Sequence, residues 1–103
     1  MTQPIAFQPL GITASIAAPS GASSASTTLP GVGGSALRVY NATAFPITWA
    51  ISTTPGGAAA TGSSTTVAAG LTEVFSMPLG TTDVAVYGIG GTGTVYLQRG
   101  DGI

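Results

Sequence analysis

The chain has 103 residues, of which 44% are hydrophobic and 5% are charged, and its formal net charge is −1. Soluble domains usually carry about 25% charged residues. The chain contains no lysine, histidine or cysteine, so it lacks a basic surface for a phosphate backbone, the commonest general base, and any thiol. Its length predicts one domain with a modest core, and its composition argues against nucleic-acid binding, disulfides and most catalysis.

The first segment, residues 1–10, contains two prolines and shows no regular hydrophobic period. We therefore predict an extended N-terminal arm, whose apolar residues Ile5, Phe7 and Leu10 contact a neighbouring molecule. The segment has no positively charged start, so we expect neither a secretory signal nor a membrane-spanning helix. The expected setting is a cytoplasm, where the chain is made and assembled without contact with a membrane.

Residues 11–103 are predicted to form a single domain, because apolar and polar residues alternate with the period of a β-strand. Predicted strands lie at Gly11–Ala17, Ser23–Leu29, Ala36–Asn41, Ile47–Ser52, Thr65–Ala69, Leu71–Met77 and, as two strands, within Asp83–Arg99. Turn residues recur roughly every 8 to 12 positions. The pattern predicts an all-β fold, an antiparallel β-sandwich of seven to eight short strands that is jelly-roll-like or a small barrel.

Two pairs of these strands are predicted to form hairpins. The first pair, Ala36–Asn41 and Ile47–Ser52, is separated by a short connection. The second pair occupies Asp83–Arg99, where the glycine-rich turn Gly90–Gly93 can adopt the positive φ values of a tight reversal. In these strands the predicted core residues are Ile47, Trp49, Ile51, Val95 and Leu97.

Residues 88–93 match the pattern GxGxxG, which in a dinucleotide-binding site connects a strand to a helix. Here the following residues, Thr94–Leu97, favour a strand. Pyrophosphate binding needs a helix N-terminus at that position. We therefore interpret the glycines as a turn and expect no nucleotide or other cofactor.

Two shorter motifs also admit a structural interpretation. Arg99-Gly100-Asp101 matches an adhesion tripeptide, but three residues recur by chance and we interpret them as the end of a strand. Asn41-Ala42-Thr43 matches a glycosylation acceptor, which we expect to stay unmodified without a secretory signal.

Catalysis is not predicted, because nucleophilic serine or threonine needs an adjacent base and the chain has no histidine, lysine or cysteine. Only Glu73, Asp83 and Asp101 carry carboxylates, and they are too scattered in the sequence to indicate a carboxylate pair or a metal site. We expect the protein not to be an enzyme and to bind no metal.

The segments LRVYNAT (residues 37–43), GLTEVFSMP (70–78) and GTGTVYLQRGDGI (91–103) resemble small virion structural proteins of tailed bacteriophages. The resemblance covers residues 37–103 best. It implies a head decoration or cement protein in the virion, which binds the outside of the shell and bridges capsomers, with the major capsid protein or other virion proteins as partners. The low charge also predicts self-association into a homo-oligomer, since few charges oppose it.

Two alternatives remain open. One is a tail, neck or fibre component of the virion. The other is a carbohydrate-binding or host-adhesion β-sandwich, in which Tyr40, Tyr87, Tyr96 or Trp49 supplies a stacking platform. Aromatic side chains in a row on a solvent-facing sheet would favour sugar binding, whereas buried aromatics and a flat surface of small residues would favour an assembly component.

Overall fold

The computed structural model describes residues 7–19, 24–54, 56–61 and 64–101. Nine strands lie within these ranges: β1 (Gln8–Pro9), β2 (Ala14–Ala18), β3 (Ala25–Thr28), β4 (Ala36–Asn41), β5 (Ile47–Ser52), β6 (Thr65–Val67), β7 (Thr72–Ser76), β8 (Asp83–Gly88) and β9 (Gly93–Asp101). They form two antiparallel sheets packed together, and no helix occurs in the described ranges. The predicted all-β sandwich is confirmed.

The larger sheet is built around β9. On one side β9 pairs with β4, which pairs in turn with β7, and on its other side β9 pairs with β2 and β1 along successive parts of its length. We call this the five-stranded sheet. The four-stranded sheet has the order β3-β8-β5-β6. The last described strand therefore holds together elements from the beginning and the middle of the chain.

Both predicted hairpins are wrong. β4 belongs to the five-stranded sheet and β5 to the four-stranded sheet, and β8 and β9 are divided in the same way. The alternation of apolar and polar residues indicates which side chains face the core. It does not identify the partner of a strand, because two strands of one sheet and two strands of facing sheets about 10 Å apart show the same alternation. The connections at 42–46 and 89–92 cross from one sheet to the other.

Crossing is the rule in this fold. The connections after β2, β3, β4, β6, β7 and β8 all change sheet, whereas β5 and β6 are consecutive partners in the same sheet. The crossings after β4, β6 and β8 lie at one end of the sandwich, because these strands run in the same direction. We call this the Asn41 end, and the opposite end, where β9 finishes, the Arg99 end.

The core lies between the two sheets. Ile47, Val95 and Leu97 are fully buried there, Trp49 is 6% exposed, and Ile51 is partly buried and packs against this cluster. The Trp49 ring contacts Phe75 of β7, with ring centroids 4.6 Å apart and planes tilted by 55°. This contact joins the two sheets through two aromatic side chains.

Near the N-terminus the strands are shorter than predicted. The strand predicted at Gly11–Ala17 begins only at Ala14, and Ile12, which lies within the predicted range, is 75% exposed. The strand predicted at Ser23–Leu29 is β3, which forms an edge of the four-stranded sheet; Ser23 itself lies outside the described residues.

The outer faces of the two sheets differ. Over the four-stranded sheet, the segment after β5 folds back: the buried Thr48 hydroxyl donates to the Thr61 carbonyl at 2.7 Å, and the backbone N–H of Ala60 donates to the Ser24 hydroxyl at 3.0 Å. On the five-stranded sheet, the outward-facing side chains of β4 and β9 include the exposed Tyr40 and Tyr96.

We predict that Trp49→Ala destabilises the domain by about 3–5 kcal/mol, because it removes the largest buried side chain and leaves a cavity beside Phe75. Chemical denaturation followed by circular dichroism measures this change. Tyr40→Ala is the control, since Tyr40 is exposed and should shift the midpoint far less. Equal midpoints for Trp49→Ala and the unmodified protein would contradict the prediction.

Candidate functional site

Asn41 occupies the point where three crossing connections meet. Its fully buried side-chain amide donates to the carbonyls of Phe45 at 2.8 Å and Val67 at 3.1 Å. Its side-chain oxygen accepts from the backbone N–H of Thr43 at 2.9 Å, and the Thr43 hydroxyl lies 2.6 Å from the same oxygen. The Asn41-Ala42-Thr43 motif is therefore a structural unit that ties the end of β4 to the end of β6.

Two glycines in residues 88–93, Gly91 at an x position of the GxGxxG pattern and Gly93 at its end, allow the connection after β8 to pack against this unit. A Cβ atom at Gly91 would collide with the ring of Phe45, and one at Gly93 would lie 2.7 Å from the Thr43 side chain. Gly93 begins β9, so a strand follows the glycines as the sequence predicts. Close packing accounts for the pattern, and the helix N-terminus that a pyrophosphate needs is missing at this place.

Arg99 performs the corresponding role at the opposite end. Its buried guanidinium donates from Nη1 to the Gly33 carbonyl at 3.1 Å and from Nη2 to the Thr81 carbonyl at 2.7 Å. These carbonyls belong to the connections after β3 and β7. Because Arg99 points inward from β9, the Arg99-Gly100-Asp101 tripeptide does not display its arginine as an adhesion loop would.

The described part of the N-terminal arm lies against its own domain. Gln8 and Pro9 form β1 and pair with Asp101 and Gly100. Phe7 is partly buried, and the guanidinium carbon of Arg38 lies 5.3 Å from the centre of its ring. Ile5, also predicted to contact a neighbour, lies outside the described residues, and contact of the arm with another molecule stays a prediction.

Exposed apolar side chains gather at the Arg99 end. Val32 and Leu79, on the connections after β3 and β7, are 85% and 89% exposed and border a cleft of about 390 Å³. Leu10 of the arm is also exposed and approaches Gly34 of the same connection as Val32. We call Leu10, Val32 and Leu79 the apolar end cluster.

A second surface lies on the outer face of the five-stranded sheet. Tyr40 of β4 and Tyr96 of β9 are direct cross-strand partners, 40% and 39% exposed, with ring centroids 5.8 Å apart and planes inclined by only 15°. Arg38 and Gln98 form the adjacent cross-strand pair, and the Arg38 guanidinium donates to the Gln98 side-chain oxygen. Together these four side chains line a groove of about 500 Å³.

Only some of the residues that line this groove are predicted from the sequence to bind a ligand. Tyr40 and Tyr96 were among four possible stacking residues, of which Trp49 is buried and Tyr87 partly buried. Arg38 and Gln98 were not proposed for this site. All four occupy outward positions in the alternation of their strands, but the pairing of β4 with β9 is needed to bring them together.

Acidic residues do not form a reactive site in the described residues. Glu73 and Asp101 are exposed, and Asp83 is buried and accepts a hydrogen bond from the Gly56 backbone. No group of three or more potential metal-ligating acidic, histidine or cysteine side chains comes together within these ranges. They also contain no helix of the length and apolarity needed to span a membrane.

We predict that calorimetric titration with NAD, FAD or ATP gives no saturable heat. The reason is that the glycines at 88–93 pack against Phe45 and Thr43 and lead into β9. Saturable binding that a bulky substitution at Gly90 abolishes would contradict this prediction. A Cβ at Gly90 has space, with the edge of the Phe45 ring as its nearest neighbour at 3.9 Å, but the φ of +85° strains any side chain there, so circular dichroism must first show that the variant is folded.

We also predict that Asn41→Leu, a substitution of similar size, destabilises the fold. It removes the Asn41 partners of the Val67 carbonyl and the Thr43 backbone N–H, whereas the Phe45 carbonyl keeps the Thr43 hydroxyl as a partner. Each buried polar group left without a partner costs about 1–3 kcal/mol. Thermal unfolding measures the loss, with the exposed Ser26→Ala as control. A melting temperature as high as that of the unmodified protein would show that the network is dispensable.

Comparisons with protein-family models, with curated proteins and with solved structures find no significant match to this chain. The two surfaces described above, the groove and the apolar end cluster, are therefore the candidate binding sites of the described residues.

Proposed function

We propose that this protein is a multi-copy structural component of a tailed-bacteriophage virion, and specifically a decoration or cement protein. In this role copies bind the outside of the assembled head and bridge neighbouring capsomers, with the major capsid protein as the partner. Support comes from the resemblance of residues 37–103 and from the surface of the domain. The protein has a binding role in this proposal, without catalysis.

The distribution of charge supports attachment by uncharged contacts. Of the five charged residues, Asp83 and Arg99 are buried and Arg38 is partly buried, so Glu73 and Asp101 are the exposed charged residues. Complementary charges mainly accelerate encounter and are screened by salt. A surface with so few charges binds a partner mainly through uncharged contacts, which are apolar packing and hydrogen bonds of neutral groups.

The observation that carries the proposal is the apolar end cluster. Val32 and Leu79 are the two most exposed large apolar side chains of the described residues, and they lie on two neighbouring connections. Burying one such side chain contributes about 1.5–3 kcal/mol. In the proposed role, the Arg99 end of each copy contacts the capsid shell.

Edge strands supply a second kind of contact. β3 lies at the edge of the four-stranded sheet, and its sequence, Ala25–Thr28, contains neither a charge nor a proline that would oppose pairing. An unpaired edge of this kind can accept a strand from a neighbouring copy. Homo-oligomers around each attachment point are therefore part of the proposal.

Imaging of whole particles tests the assignment most directly. We expect density for this domain at repeated positions on the head, with the Arg99 end facing the shell. Particles assembled with Val32→Ser/Leu79→Ser should carry at least about tenfold less of the protein, since two apolar contacts are lost. Raising the salt concentration should change attachment of the unmodified protein little.

The matched control is Leu71→Ser, because Leu71 is also an exposed apolar residue but lies beside Asn41 at the opposite end. Its incorporation should equal that of the unmodified protein. Density at the tail, neck or fibres would move the protein to another part of the virion. Absence of the protein from purified virions would overturn the proposal.

A further inference from the structure

The groove on the five-stranded sheet is not needed for the attachment proposed above, because it lies on a sheet face and the apolar end cluster lies at the tips of connections. Its lining includes two aromatic rings and four polar side chains, those of Thr13, Arg38, Tyr40, Thr72, Tyr96 and Gln98, together with Leu97. Small-molecule sites characteristically combine an apolar surface with a few polar groups that fix orientation.

The aromatic part of the groove is open on both sides. Across the sheet, Tyr96 is the partner of Ser15 in β2, and Tyr40 is the partner of Thr72 in β7. Small hydroxyl-bearing residues therefore flank the tyrosine pair, and no bulky side chain of the neighbouring strands occupies the flanking positions. Aromatic rings placed in this way offer an apolar surface to the C–H groups of a flat ligand, while nearby hydroxyl groups can bond its polar edge.

The polar part of the groove carries a positive charge that is held in place. The Arg38 guanidinium bonds the Gln98 side-chain oxygen and lies over the Phe7 ring, and Gln98 in turn donates to the Gly11 carbonyl at 2.8 Å. Among the described residues no carboxylate forms an ion pair with Arg38. Most of its five N–H groups stay available, and guanidinium binds carboxylate through two parallel hydrogen bonds.

We propose that this groove binds an acidic saccharide. A pyranose ring of the ligand packs against the Tyr40–Tyr96 pair, and the carboxylate of a uronic or sialic acid unit bonds the Arg38 guanidinium. The Gln98 side chain orients the guanidinium, and the hydroxyl groups of Thr13 and Thr72 border the ligand. On a virion, this site would give each copy a weak hold on an acidic polysaccharide, in addition to its attachment to the shell.

Other ligand classes fit the groove less well. A nucleic acid requires several cations along its backbone, and Arg38 is the one cation of the groove, in a chain with two in total. A peptide that adds a strand requires a free sheet edge, and the groove lies over β4 and β9, which both have strands on either side.

Titration of the full chain with trigalacturonate, followed by NMR, tests the proposal. We expect saturable binding, with the largest shifts at Arg38, Tyr40, Tyr96 and Gln98. Neutral maltotriose, a trisaccharide of the same length, should bind about tenfold more weakly, the effect of losing one charge-assisted contact. Raising the salt concentration from about 50 to about 500 mM should weaken the binding of trigalacturonate and leave the binding of maltotriose unchanged.

Two substitutions separate the contributions. Arg38→Gln should reduce trigalacturonate binding to the level of maltotriose, and Tyr96→Ala should weaken both ligands. Val32→Ser, at the other surface, should bind both sugars normally while attaching poorly to particles. Circular dichroism verifies that each variant is folded, and Tyr96→Phe, which keeps the ring, should retain binding if stacking is what matters.

The proposal is overturned if neither sugar gives saturable shifts, or if Arg38→Gln binds trigalacturonate as well as the unmodified chain. It is also overturned if the groove instead mediates self-association that Tyr96→Ala abolishes. Each of these results leaves the virion assignment standing, because attachment to particles is measured with Val32 and Leu79 variants.

Discussion

Backbone groups in the connections that cross between the two sheets must find hydrogen-bond partners, and two side chains supply several of them beside the backbone–backbone bonds. The Asn41 amide bonds the carbonyls of Phe45 and Val67 at one end of the sandwich, and the Arg99 guanidinium bonds the carbonyls of Gly33 and Thr81 at the other. Both are donors aimed at carbonyl oxygens of different connections. A buried carbonyl without a donor costs free energy, so the packing of the sheets depends on these two residues.

The short motifs that resemble functional sites in the sequence have structural roles in this fold. The acceptor motif at Asn41, the tripeptide at Arg99 and the glycines at 88–93 all lie where crossing connections are tied together. Their side chains and backbone contact other parts of the same domain. The surfaces available for binding are made of residues that no short motif marks, namely exposed aliphatic tips at the Arg99 end and a tyrosine pair on an open sheet face.

Sequence patterning predicted the strands better than their partners. β4 and β5 have the predicted bounds, because strict alternation of apolar residues leaves little freedom in choosing a strand. The predicted strand pairing is wrong where a connection that crosses between the sheets has the sequence of a hairpin turn, as at Gly90–Gly93. The groove was out of reach for the same reason: Arg38 and Gln98 are 60 residues apart and meet only through the β4–β9 register.

The central position of β9 has a consequence for biosynthesis. β1, β2 and β4 all pair with this strand, although they leave the ribosome long before it. Until residues 93–101 have been translated, the five-stranded sheet lacks the strand with which β1, β2 and β4 pair. During this time the growing chain exposes unpaired strand edges, and it carries few charges that would oppose their association. Pairings between distant parts of a chain also form slowly. The folded domain can therefore arise only after translation of β9, and each nascent copy passes through an interval in which it is vulnerable to aggregation.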